Sequence, residues 1–242
     1  MATAATMLLL VGVLDGCVET TQEKNARATL QAERLVAARS SVHVTRSTPQ
    51  VGVLGVTMVR SRSGTAVAIT MRNDSDRPIS DLPVSVGVRT RSGHVEYLNR
   101  QPELPYFQTH VAGLGPGAST TWVLSTRHHA PAGRPFARVG AGTLGVGHGI
   151  ARVPAIAAST TSVRAHGRAS ATATARLTNR SGIDQSGLQV YAYALSGGRL
   201  AAAGTGTVEN LGGKAAKTVR IVLVGNPGST PLHVEAPPTN LR

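Results

Sequence analysis

The stretch "AITMRNDSDRPISDLPVSV", residues 68–86, decides the fold, because its pattern returns as "TARLTNRSGIDQSGLQVYA" at residues 174–192. The two stretches align without a gap at an offset of 106 residues, and polar and apolar residues recur at matching positions: Asn73 with Asn179, Ser75 with Ser181, Ser80 with Ser186, Leu82 with Leu188, and Val84 with Val190. In each copy a polar turn, in which Asn and Ser side chains can cap the backbone, precedes an alternating strand. We therefore expect the same strand–turn–strand unit twice.

A second pair of matching blocks follows the first in the same order. "LGPGASTTW", from Leu114, parallels "LGGKAAKTV", from Leu211, at an offset of 97 residues. The Leu-Gly element is typical of a turn that opens a late strand. Two matching blocks in the same order predict two domains of one kind.

The remaining apolar pattern is that of strands. "VGVLGVTMV" and "TAVAITM" alternate around the turn "RSRSG", and "VSVGVRT" and "LQVYAYAL" alternate later. Turn signals recur about every 8–12 residues, and no long helical pattern separates the strands. The sequence predicts an all-β chain with two tandem antiparallel sandwiches, at residues 43–140 and 157–242, joined by a flexible glycine-rich linker at 141–156.

These turns resemble those of bacterial Ig-like domains of the FxLYD and CARDB type. Such domains show an Asn-x-Ser/Gly turn after an early strand, an alternating middle strand, and a Leu-x-x-Gly turn before a late strand. The resemblance implies small Greek-key sandwiches on an envelope or secreted protein, used for contacts or spacing rather than chemistry. The chain lacks a Phe-x-Leu-Tyr-Asp string.

The N-terminal segment "LLLVGVLDGCVET", residues 8–20, contains the only cysteine, Cys17. The apolar run that precedes it has the length of a secretory h-region, about 7–15 residues, and is shorter than the roughly 20 residues that span a bilayer. With Leu14 three residues before Cys17 and Gly16 directly before it, the segment resembles a bacterial lipoprotein signal. The resemblance implies a signal peptide at residues 1–16, acyl chains such as palmitate on Cys17, and attachment to the extracytoplasmic face of the cell membrane. The alternative is a buried N-terminal strand with Cys17 as a small apolar residue.

Residues 17–42 are predicted to form the lipidated N-terminus and a helical stalk. From Glu19 to about Ala38 the chain is rich in helix formers and has no Gly or Pro. Its few large apolar residues are too sparse for a core-facing stripe. A solvated helix is therefore expected, and the alternative is that Leu30 and Val36 dock it on the first domain.

The net charge of +13 comes mainly from arginine. Codon bias in a GC-rich genome explains this composition without any partner. No Asp or Glu occurs between Leu104 and Ile183, however, and the arginines of that stretch could form a patch for anionic lipid headgroups or an anionic wall polymer: Arg127, Arg134, Arg138, Arg152, Arg164, Arg168, Arg176 and Arg180. Dispersed solubilising charge is the alternative. Few aromatic residues interleave these arginines, which argues against nucleic acid.

The chain contains only weak matches to nucleotide-binding, metal-binding and catalytic motifs. Gly140, Gly142 and Gly145 have G-x-G-x-x-G spacing, but no helix pattern or acidic residue follows, so no nucleotide cofactor is expected. The adjacent His128 and His129 point to opposite faces of a strand, and no paired-ligand spacing predicts a metal. The chain has no G-x-S-x-G motif, and its carboxylates are sparse. Catalysis is therefore not expected, and a cell-wall-modifying hydrolase built from scattered residues is the alternative.

Most of the aromatic residues belong to the first copy. By alternation Phe107 and Trp122 are expected in the first core, whereas Tyr106 could face outward and mark a partner surface. Tyr191 and Tyr193 share one face of a strand and are expected to be in a core. The sequence thus favours a binding or scaffolding module of the cell envelope, whose partners are the bilayer through Cys17 and an envelope protein or anionic wall polymer.

Overall fold

The structure is a computed structural model and describes residues 42–100, 104–144 and 153–240. The predicted signal segment, Cys17, the helical stalk up to residue 41 and Arg152 lie outside these ranges. Residues 38–242 form one compact unit. The described part of the chain has no helix that is both long and apolar enough to cross a membrane.

The described residues are built from antiparallel strands, which confirms the all-β prediction. One turn of 3₁₀ helix, Tyr106–Gln108, interrupts them. In chain order the strands are β1 (Val51–Ser61), β2 (Gly64–Asn73), β3 (Ile79–Arg89), β4 (Val95–Tyr97), β5 (His110–Leu114), β6 (Ser119–Thr126), β7 (Arg134–Val139), β8 (Thr143–Leu144), β9 (Ile156–His166), β10 (Ser170–Asn179), β11 (Gln185–Ser196), β12 (Arg199–Leu211), β13 (Ala216–Gly225) and β14 (His233–Glu235).

The strands form three sheets. In the first half of the described chain, residues 42–144, one sheet has the order β1-β2-β6, and in the other β3 pairs with β4, β5, β7 and β8. The second half, residues 153–240, forms one six-stranded sheet in the order β14-β11-β12-β13-β10-β9. Each alternating segment predicted from sequence lies within one of these strands, except that Thr90 follows the end of β3.

The Asn-Ser turn of the first copy caps the backbone as predicted. Asn73 is fully buried, and its Nδ2 donates to the carbonyl oxygens of Arg77 (2.7 Å) and Leu114 (3.1 Å). Its Oδ1 accepts hydrogen bonds from the backbone N–H and the hydroxyl of Ser75, at 3.0 and 2.7 Å. One side chain therefore ties the turn after β2 to the end of β5.

The second copy repeats this network. Asn179 is also fully buried, and its Nδ2 donates to the carbonyl oxygens of Ile183 (2.8 Å) and Leu211 (3.4 Å). Its Oδ1 accepts from the N–H and hydroxyl of Ser181, at 3.0 and 2.7 Å. Both amides are buried and hydrogen-bonded within their turns. This structural role explains why the sequence Asn-x-Ser occurs in both copies.

The Leu-Gly turns match as well. Ala118 N–H donates to Gly115 O, and Ala215 N–H donates to Gly212 O, both at 3.1 Å. The two turns open β6 and β13, as predicted. Each presents an alanine carbonyl to the N–H of the buried asparagine of its own copy, at 3.0 and 2.9 Å.

Strand β11 divides its side chains between two apolar clusters. Leu188, Val190 and Ala192 pack in a cluster made of second-half residues. Tyr191 and Tyr193 point to the opposite face, where they pack against the core of the first half. The expectation of a core position is confirmed for Tyr191, but the core is that of the first half, and Tyr193 is only partly buried against the same core.

The first residues of the glycine-rich segment belong to a sheet rather than to a flexible linker. Thr143 and Leu144 form β8 and pair with β3. A Cβ on Gly142 would lie 2.4 Å from Ser80 O, so this glycine permits close strand pairing. The linker predicted at 141–156 therefore begins with an ordered strand, and residues 145–152 lie outside the described ranges.

Candidate functional site

Glu235 joins the two halves of the described chain. It lies in β14, and its Oε2 accepts hydrogen bonds from the hydroxyl of Thr120 and the backbone N–H of Thr121, both at 2.9 Å. Its Oε1 accepts from the hydroxyl of Tyr193 at 2.6 Å. One carboxylate thus connects β6 in the first half with β11 and β14 in the second.

Two tyrosines near Glu235 have pKa values above the usual value for tyrosine. Burial raises the pKa of Tyr193 to about 12, and its hydrogen bond to Glu235 acts in the same direction. Burial also raises the pKa of Tyr191, and the charge of Glu235 adds to the effect. Among the described side chains the Tyr191 hydroxyl is buried without a hydrogen-bond partner. Both phenols therefore stay protonated at neutral pH.

An open cleft of about 260 Å³ lies beside Glu235. Ser119 and Thr120 line it from the first half, and Ile156 and Pro237 line it from the second. The described lining residues include no histidine. Both oxygens of Glu235 already accept hydrogen bonds from the protein, so the arrangement is structural. We call Glu235 with its partners Thr120, Thr121 and Tyr193 the Glu235 clamp, because it joins β6 to β11 and β14.

Tyr106, the predicted partner-surface residue, is half-buried. Its hydroxyl donates to Asp81 Oδ1 at 2.8 Å, and its ring stacks on His110 with centroids 4.1 Å apart. Phe107 beside it is buried, and so is Trp122, whose Nε1 donates to Phe107 O at 3.1 Å. Both residues are in the core, as predicted, whereas Tyr106 is engaged within the protein on two sides.

His110 is buried at the base of this stack. Its Nδ1 lies 2.9 Å from Thr109 Oγ1 and 3.2 Å from Tyr106 O. Burial lowers the pKa of His110 below its usual value, and the bond to Tyr106 O and the charge of Asp81 offset part of that effect. The neutral imidazole is therefore the form that belongs to the folded protein.

This burial predicts a loss of stability in mild acid. As the pH falls through about 6.5 the unfolded chain binds a proton at His110 that the folded chain does not, so stability decreases by up to about 1.4 kcal/mol per pH unit. In urea titrations at pH 7.5 and 5.0, the His110→Gln variant should lose less stability between the two pH values than the parent. Replacing the exposed His94 by Gln is the control, and an unchanged pH dependence in His110→Gln would contradict the prediction.

The predicted arginines lie on different sheets. Arg134 and Arg138 are in β7, where Arg138 donates to the Tyr97 hydroxyl at 3.2 Å, and Arg127 follows β6. Arg164 lies in β9, and Arg168 lies in the turn before β10. Arg134 and Arg138 therefore belong to one sheet and Arg164 to another.

Two of the predicted arginines, Arg164 and Arg176, share a face with Arg220. Antiparallel pairing places directly opposed residues on the same side of a sheet, and β10 pairs with β9 on one side and β13 on the other. On the side of the sheet that carries these arginines, the opposed residues form three rows: Arg164, Thr172 and Val222; Ser162, Thr174 and Arg220; Ser159, Arg176 and Thr218. Of these nine residues Thr172 is buried, and its hydroxyl lies 2.9 Å from His166 Nε2. We call this set the arginine face. Arg220 was not among the arginines predicted from the sequence, because it lies beyond the acid-free stretch. Its position between Val219 and Ile221, which are apolar and buried, was the signal that its side chain faces outward.

One of the described histidines pairs with a carboxylate. His128 Nε2 lies 2.6 Å from Glu96 Oε1 in an exposed pair, and no group of three metal-binding side chains occurs within the described ranges. Asp74 pairs with Arg72 at 2.6 Å. These carboxylates act in surface pairs.

No protein-family model and no curated protein matches this chain.

Proposed function

We propose that this protein is a membrane-anchored lipoprotein on the extracytoplasmic face of a bacterial cell, where it acts as a non-catalytic binding or scaffolding module. The observation that carries the proposal is the joining of two equivalent strand–turn–strand units by a common core and the Glu235 clamp. A joined pair of β units is suited to holding surfaces at a fixed separation. The sequence around Cys17 supplies the anchor.

The Ig-like character of the two units is part of this proposal. Its support is the repeated use of a buried asparagine that caps one turn with its side chain and donates its backbone N–H to an alanine carbonyl of the next turn. Binding modules place their contacts on exposed strand faces and loops, while the core fixes the geometry. The role proposed for this chain requires no cofactor.

The anchor is tested by mass spectrometry of the full chain produced in a bacterial host. The N-terminal peptide should begin at Cys17 and carry a diacylglycerol thioether and an amide-linked acyl chain. The protein should also partition into detergent, whereas Cys17→Ala should carry no lipid mass. An N-terminal peptide that begins at Met1 with an unmodified thiol would refute the anchor.

A further inference from the structure

The arginine face has an unusual combination of charge and polarity. Its nine positions hold three arginines, five hydroxyl residues and one valine, and no carboxylate. Arg164, Arg176 and Arg220 are exposed, and none of them has an ion-pair partner among the described residues. Within the described part of the chain, no carboxylate offsets these three positive charges by an ion pair.

The arginine face is rigid because the opposite side of the same strands is packed in a core. Ala171, Ala173 and Ala175 of β10 are fully buried, as are Ile221 and Leu223 of β13. The arginine stems therefore rise from a packed sheet rather than from loops. Side chains on a rigid element lose less conformational freedom on binding than side chains on a mobile loop.

The three arginines are spaced along the sheet, one in each row. Successive outward residues on a strand are about 7 Å apart, and neighbouring strands about 4.8 Å apart. Arg164, Arg220 and Arg176 thus form a zigzag about 14 Å long across β9, β13 and β10. A linear ligand with repeated charges can contact all three, whereas a single small anion cannot.

The chemistry of the face defines the ligand further. Guanidinium groups bind phosphate through two parallel N–H bonds, which favours phosphate over a diffuse negative surface. Ser159, Ser162 and Thr218 are exposed beside them and can donate to or accept from hydroxyl groups. No aromatic residue lies on the face to stack a base.

We propose that the arginine face binds a linear polyol phosphate, an anionic polymer of hydroxyl-bearing units joined by phosphodiesters. Arg164, Arg176 and Arg220 contact successive phosphates. The exposed hydroxyls of Ser159, Ser162 and Thr218 contact the polyol. The inference deepens the proposed function, on which it rests for its extracytoplasmic setting, by naming the class of partner.

The test measures binding of poly(glycerol phosphate) to the full chain in neutral detergent, by calorimetry at several salt concentrations. The variant Arg164→Ala/Arg176→Ala/Arg220→Ala should bind about 100-fold more weakly at about 50 mM salt, and its log affinity should fall less steeply with log salt, by about 2. The matching triple lysine variant should recover part of the affinity, because charge remains but the two-point contact is lost.

The control variant removes three exposed arginines that lie outside the arginine face, Arg89→Ala/Arg91→Ala/Arg134→Ala. It loses the same charge, and its affinity should fall less than about 3-fold, since it leaves the arginine face intact. Equal losses in the two triple variants would overturn the proposal, because binding would then follow net charge alone. Circular dichroism of each variant establishes that the fold is retained.

Three further probes decide the ligand class. Inorganic polyphosphate lacks hydroxyls, poly(U) offers bases, and vesicles of phosphatidylglycerol present a flat phosphate surface. The glycerol phosphate polymer should bind at least about 10-fold more tightly per phosphate than each of these. Equal or tighter binding of any of them would overturn the assignment to a polyol phosphate. These measurements do not depend on Cys17, so their failure would leave the anchor proposal standing, and failure of the anchor would leave them interpretable.

Discussion

Replacing either buried asparagine, by Asn73→Ala or Asn179→Ala, should lower the free energy of unfolding by about 3 kcal/mol. Each amide is fully buried and makes hydrogen bonds at both ends, and its removal takes a donor away from a buried leucine carbonyl, that of Leu114 or Leu211. The loss should be similar in the two copies because both networks contain these bonds, although Asn179 Nδ2 also donates to Gly212 O at 3.2 Å. Urea titration followed by far-ultraviolet circular dichroism measures both values.

Asn210→Ala is the matched control, because Asn210 is an exposed asparagine near the end of β12. Its effect should stay within about 0.5 kcal/mol. A loss below about 1 kcal/mol in Asn73→Ala or Asn179→Ala would show that solvent replaces the lost hydrogen bonds, against the burial seen here.

Glu235→Ala should have an effect of comparable size, about 2–3 kcal/mol. The carboxylate accepts three hydrogen bonds, two of them from β6 on the other half of the molecule. Its removal leaves the N–H of Thr121, a buried residue, without that acceptor. Urea titration again measures the loss, and the exposed Glu209→Ala serves as the control.

A double-mutant cycle separates the clamp from a general effect of charge. Thr120→Val removes one donor to Glu235 and keeps the shape of the side chain. If the two residues act together, the combined variant should lose about 0.5–1.5 kcal/mol less than the sum of the single losses. Strict additivity would mean that Glu235 acts on stability without Thr120.

The joining of the two halves could not be predicted from the pattern of either copy. Alternation in β11 identifies two faces, and both are apolar in part. Whether Tyr191 and Tyr193 face their own core or another depends on which surface meets that strand. That surface is formed by residues more than 60 positions earlier, Trp122 among them, and tertiary packing alone brings it there.

The turns, in contrast, could be predicted because their physics is local. An asparagine two residues before a serine bonds to the backbone of its own turn, and the positions of Asn73 and Asn179 follow from that rule. The carbonyls of Leu114 and Leu211, which complete each network, come from distant strands. The sequence indicates them only through the second repeated block.

The basic surface, too, could be predicted only in part from the sequence. The absence of acidic residues between Leu104 and Ile183 is a property of the sequence, and it drew attention to the arginines within that interval. Membership of one face depends on strand register. Pairing of β10 with β9 and β13 brings Arg164, Arg176 and Arg220 together, while Arg134 and Arg138 belong to another sheet.

The sequence by itself determined the fold class, the repeat, the strand segments and the capped turns, because alternation and turn chemistry act over a few residues. Tertiary structure alone decided that the halves share a core, that Glu235 connects them, and which arginines lie side by side. These features depend on contacts between residues far apart in the chain. Such contacts form only when whole sheets pack, and no short stretch of sequence records which sheet will face which.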